Sequence, residues 1–165
     1  MHADLEGAAQ IARTAAGFDW TWTRDDVERF ARVVGWSVTE VRRLGATLTT
    51  GLSVDRPVVN VHFGGNYFSA ADETIEDLSV YVADVVPSGD DAVSSDVLTA
   101  LADLATRVEA ELGEPEVHAV EVGAVFSWDF DDVVITLNAT HSSVYLDLIN
   151  PQYQDWLENA PDDEF

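Results

Sequence analysis

Histidines, carboxylates and hydroxyls are the side chains here that could do chemistry, and their spacing decides whether they do. The four histidines, His2, His62, His118 and His141, stand far apart along the chain. No H-x-x-x-H pair and no cysteine accompanies them, so a zinc site is not expected. His62 falls on the polar face of a candidate strand and His141 in a turn, ordinary settings for a solvated or hydrogen-bonded imidazole. Asp129, Asp131 and Asp132 bunch at a turn, where carboxylates can chelate a hard cation, but the calcium-loop spacing and its glycine are missing. A glycosidase-like carboxylate pair requires a defined separation across a cleft, which chain spacing does not supply. Ser127, Ser142 and Ser143 lack a G-x-S-x-G setting, and no Lys-Ser or Lys-Thr follows Gly64-Gly65. Without lysine there is no Schiff-base chemistry. The expectation is a protein with no catalytic residue, metal or cofactor.

The acids say more by where they lie. The 165 residues carry 31 Asp and Glu against 8 Arg, a net charge of −23. Residues 1–56 hold 8 acids and 7 arginines, a balance of −1, while residues 57–165 hold 23 acids and Arg107 alone, a balance of −22. A halophilic surface would be acidic throughout; this asymmetry predicts one strongly negative face. Such a face repels nucleic acid and anionic membranes and attracts a basic protein. Solubility is the plain alternative reading of the same charge.

The elements that would position these acids are legible in outline. An apolar content of 47% is that of a globular chain, and the length suits one domain over residues 1–165. No apolar run has membrane-spanning length and the N-terminus lacks a signal-peptide pattern, so a cytoplasmic protein is expected. Residues 4–16 are Ala-rich and read as a helix ended by Gly17. Phe18 to Trp22 reads as a short extended pass with both tryptophans in the core. A second helix follows, with Thr23 as its cap, Asp25–Arg29 and Glu28–Arg32 as pairs, and Gly35 as its stop. Three strand signals come next: Leu44–Leu52, Val59–Phe63 and Ile75–Val86. Turn signals mark Gly64-Gly65-Asn66, and Pro87 to Asp91 is the strongest break. Ser94 or Ser95 caps a longer helix with an Asp103–Arg107 pair, which Gly113 and Pro115 end. The clearest pattern is the alternation from Val120 to Phe130, read as one strand with Trp128 inward. It is followed by strands through Val133–Leu137 and Val144–Leu148, and by a short helix from Asn150-Pro151. The whole is an α+β fold of two α-β-β-β units, a mainly antiparallel sheet packed by helices with short terminal helices.

Phe18-Asp19-Trp20-Thr21-Trp22, the helix from Thr23 to Arg32, and Gly35-Trp36 together resemble small acidic actinobacterial proteins of domain-of-unknown-function families. Leu112-Gly113-Glu114-Pro115 with the strand ending at Trp128, and Thr50-Gly51-Leu52, are similar to the same pattern. Such families resemble those encoded near secreted polymorphic toxins, which implies an immunity-protein role and carries over no catalytic residue. With the charge, this predicts a non-enzymatic protein that neutralises a basic toxin by contact. The expected contacts are Glu121, Asp129, Asp131, Asp132, Asp147 and Trp156, with the acidic tail at Pro161–Phe165. The alternative is a secretion-type chaperone for an exported partner, which predicts a homodimer and an exposed apolar groove.

Overall fold

A computed structural model describes residues 1–64, 74–87 and 94–159. The turn expected at Gly64-Gly65-Asn66 lies largely outside them, as do most of the Pro87–Asp91 break and the tail from Pro161. In chain order the elements are α1 (Leu5–Gly17), α2 (Asp25–Val34), β1 (Ser37–Arg42), β2 (Gly45–Thr49), β3 (Val58–Phe63) and β4 (Ile75–Tyr81). They continue with α3 (Ser95–Leu112), β5 (Glu116–Ala119), β6 (Ala124–Asp129), β7 (Val134–Ala139), β8 (Val144–Ile149) and α4 (Pro151–Asn159).

The strands form one antiparallel sheet in the order β1-β2-β3-β4-β8-β7-β6-β5. Each helix-led half lays its strands as a meander from an outer edge inward, and the halves meet where β4 pairs with β8. The expected α+β architecture of two helix-led units is therefore present, with a fourth strand in each. The additional strands, β1 and β5, are the sheet edges, and every residue in both is exposed. In β1 a register shift between Val38 and Glu40 also breaks the alternation by which a strand is read.

At β5 the long run from Val120 to Phe130 proves to be two pieces. Ala119 pairs with Ala124 across a hairpin turn, and Gly123 takes φ 73 there, which glycine does without a steric penalty. Val120 and Phe130 lie outside the strands and are exposed, whereas Trp128 is buried as its position predicted. Its indole N–H donates to the Gly113 carbonyl over 2.8 Å. The expected β6-β7-β8 meander stands, with Trp128, Ile135 and Leu148 in one row.

One face of the sheet carries the core. Leu48, Val59, Val61, Leu78, Val80, Leu146, Leu148, Ile135 and Leu137 all point to it and are fully buried. They join Ala8, Ala12 and Ala15 of α1, Phe30 of α2, and Leu101, Leu104 and Val108 of α3 in a single cluster. Alanine on α1 allows α1 and α3 to pack closely side by side. Asp4 caps α1 by accepting from Gly7 N–H, and Ser94 caps α3 by accepting from Asp96 N–H. Gly35, at φ 79, and Gly113, at φ 96, close α2 and α3.

Residues 18–22 do not pair as a strand. They form an aromatic knot in which Trp20 stacks on Trp22 at 4.4 Å and on Phe30 at 4.9 Å, with Phe18 and Trp36 edge-on around it. Both tryptophans are in the core, as expected. Thr23 is not the side-chain cap of α2, since the capping position is Arg24 and no side chain bonds there. Asp26, fully buried, holds this helix start instead. Its carboxylate accepts from the N–H groups of Thr21 and Trp22 and from the Thr21 hydroxyl, and pairs with Arg29. Arg29 thus reaches Asp26 rather than Asp25, while Glu28–Arg32 forms as expected at 4.0 Å. Likewise Arg107 turns to Glu111 and to Glu6 of α1 rather than to Asp103, tying α3 to α1.

Candidate functional site

Because α1, α2 and α3 bury one face, the side chains of opposite parity present a second, polar face. The register sets one polar row across all eight strands: Glu40, Thr47, Asn60, Ser79, Asp147, Thr136, Ser127 and Glu116. Asp147 stands near its middle and is half-buried. The Ser79 hydroxyl donates to one oxygen of its carboxylate, and Asn138 Nδ2 donates to the other over 2.7 Å. Burial outweighs those donors and pushes the Asp147 carboxyl up to about 6.

Beside this row, Asp77 lies across from His62 on β3, and His62 Nδ1 is 2.6 Å from Asp77 Oδ1. The hydrogen bond to Asp77 holds the His62 imidazolium above its ordinary range, against a smaller opposing effect of burial. Tyr81 and Tyr145, paired across β4 and β8, have ring centres 4.7 Å apart. Burial pushes the Tyr145 phenol up to about 12. Near the start of β4, Tyr153 of α4 meets Glu76 and Asp77 and is also raised to about 12, again chiefly by burial. Trp156 stacks on Tyr153 at 6.0 Å and is half-buried.

The expected contact residues divide between this face and its margins. Asp129 ends β6, is exposed, and accepts from the Ser127 hydroxyl over 2.8 Å. Asp131 and Asp132 form the exposed β6–β7 turn, where the Asp132 carbonyl accepts the Trp22 indole N–H over 2.9 Å. That bond joins the acidic turn to the aromatic knot around a cleft of about 330 Å³, with Thr21, Thr23, Asn150 and Gln152 on its walls. Trp22 adopts φ 59 there, uncommon for a residue with a side chain. Glu121 is separate, at the β5–β6 turn, roughly 20 Å from Asp129 along β6. Trp156 is held by its stacking partner rather than standing free. The fold therefore gathers Asp129, Asp131 and Asp132 at one end of the sheet and sets Asp147 in the open face.

Sequence reading did not identify Asp77, Tyr81 and Tyr145 as part of this face. Alternation along β3 and β4 does place His62, Ser79 and Tyr81 opposite the apolar residues. What was missing is the β4–β8 pairing, which brings Asp147 and Tyr145 beside them from almost seventy residues away. Chemically the face offers carboxylates, phenols and amides in a shallow array. Among the described residues no group of three His, Asp or Glu side chains is arranged to hold a metal ion, and no helix is long and apolar enough to cross a membrane.

No curated protein and no solved structure matches the chain. One family model does, over residues 6–150, a span that takes in the W-x-W segment, the two glycine-ended helices and all eight strands. The chain belongs to DUF6301, a family of unknown function.

Proposed function

We propose that this protein is a non-enzymatic binding protein that takes a basic protein partner on its open sheet face. The role we assign is that of an immunity protein neutralising a basic toxin by contact. The observation that carries the reading is the sidedness of the sheet. The three longest helices share one face, and the other presents Asp77, Asp147 and Asp129 with Tyr81 and Tyr145, in the part of the chain that holds −22 of the −23 charge. Carboxylates set around aromatic rings suit lysine and arginine, since the charges speed encounter and the rings supply contact area.

The test is co-purification with the product of the adjacent gene, compared in roughly 50 mM and 500 mM salt. A complex that weakens with salt, and is lost in the Asp77→Lys, Asp129→Lys double variant, supports the reading. Absence of a complex at low salt, or one indifferent to the double variant, overturns it. A second reading, the secretion-type chaperone, draws on exposed Val38, Val41 and Leu44 along the β1 edge. It requires a homodimer, so a monomer by light scattering removes it.

A further inference from the structure

We propose that two copies of this chain join β1 to β1, antiparallel about a two-fold axis, into one continuous sheet with both open faces on the same side. This contact depends on neither reading given above.

The first observation is that the core stops one strand short of the sheet edge. Val38 and Val41 pair with Leu48 and Ala46, which places them on the helix-facing side. Leu48 and Ala46 are fully buried, yet Val38 is 38% exposed and Val41 60%. With Phe63 they line a groove of about 470 Å³ whose far wall is α2. Within the sheet β1 pairs only with β2, so its outer side offers main-chain donors and acceptors in the spacing of a strand. A strand laid along β1 would cover both valines, which no element of this chain does among the described residues.

The second observation is that this edge complements itself. Pairing two β1 strands antiparallel about their midpoint sets Val38 of each copy beside Val41 of the other. The register shift between Val38 and Glu40 lets two residues three apart share the helix-facing side. The two-fold places one shift opposite the other, so neither strand slips against its mate. Helix α2 runs back along β1, since Arg24 at its start donates to the carbonyls of Arg42 and Arg43 at the strand's end. The same axis therefore turns the Asp25 and Glu28 end of one α2 toward the Arg32 end of the other. Each copy has a single β1 edge, so the contact closes at two.

The third observation is charge. Residues 24–44, which span α2, β1 and the turn after it, hold 5 arginines and 4 acids, a balance of +1 in a chain of −23. Glu40, the one acid of β1, is paired with Arg42 of its own strand at 2.9 Å. The acidic face stays distant, because Asp77 on β4 would lie seven strand spacings, roughly 34 Å, from its counterpart in the second copy. Screening reaches about 8 Å in 0.15 M salt, so repulsion over that distance is weak. The other sheet edge differs. Residues 113–123, around β5, hold Glu114, Glu116 and Glu121 and no arginine, a balance of −3. Two copies meeting at β5 would press like charges together, whereas at β1 they meet where the chain is nearly neutral and apolar.

The test is sedimentation velocity of the full-length protein up to about 200 μM, in about 0.01 M and about 0.5 M sodium chloride. A dimer should form, and the higher salt should tighten it about tenfold by screening the net charge of the two copies. A complex with a basic partner responds to salt in the opposite sense. Val41→Lys should weaken the dimer at least about tenfold by setting a charge in the joint. The single copy stays folded, because Val41 is 60% exposed in it. Val117→Lys, on β5, should leave the dimer intact. The chain has no cysteine, so Thr39→Cys on β1 and His118→Cys on β5 can be compared with a bismaleimide spanning about two strand spacings, ~10 Å. Only the Thr39→Cys copies should link. A monomer at every concentration and salt, a dimer that loosens with salt, or linking through His118→Cys alone would each overturn the proposal. So would a dimer lost in Val117→Lys and kept in Val41→Lys. Asp77→Lys should not weaken the dimer, so failure of this contact and failure of the open face as a binding surface are separate outcomes.

Discussion

At Asp26 a single carboxylate gathers the Thr21 and Trp22 backbone N–H groups, the Thr21 hydroxyl and the Arg29 guanidinium, and so fixes where the aromatic knot meets α2. Asp26→Ala leaves these donors without their acceptor inside the protein, and about 3 kcal/mol of stability should be lost in urea unfolding. In the sequence Asp26 looked like one of several first-turn acids, because nothing local distinguishes a buried carboxylate from an exposed one. Asp147 has the opposite sign. Its folded carboxyl titrates near 6, above the ordinary aspartate value, so its stabilising contribution is complete below pH 4 and is lost as pH rises to about 6. His62, also raised, contributes below its ordinary value of 6.5 and loses that contribution as pH rises through its folded value. Asp147→Asn should flatten the stability profile between about pH 4 and 6 and raise stability at neutral pH by about 1–3 kcal/mol. An NMR titration of the two side chains checks both directions.

Elements divide by how much they bury. The β4–β8 seam is core on its helix-facing side, so Leu148→Ala should cost about 3 kcal/mol. At the β1 edge Val41 is 60% exposed, and Val41→Ala should change stability by less than about 0.5 kcal/mol. Thermal unfolding of both variants side by side measures the contrast. The same division governed what could be read from sequence. Helices α1, α2 and α3 and strands β3, β4 and β8 bury one face far more than the other, and burial imprints a period on the residues. Strands β1 and β5 bury nothing, so they left no period, and Gly123 was counted as a strand residue because a hairpin turn can interrupt an alternation without changing it. Of the expected contacts, Asp129, Asp131 and Asp132 were legible as a turn cluster. The neighbours of Asp147 were not.

Over the whole molecule the net charge of −23 is self-repulsive, and the three helices give it a side to leave open. Screening shortens from about 30 Å at 0.01 M salt to about 8 Å at 0.15 M, so the unfolding midpoint should rise with sodium chloride across that range. Calorimetry at matched pH measures it. The sequence by itself determined the α+β class, the glycine stops of α2 and α3, the burial of Trp20, Trp22 and Trp128 and the concentration of acid after residue 56, because these depend on residue type and on neighbours a few positions away. Only the tertiary structure decided that β4 pairs with β8. That pairing sets Asp147, Asp77 and the tyrosines on one face and leaves β1 as an open edge. Strand order depends on contacts between residues far apart in the chain, and no local period records it.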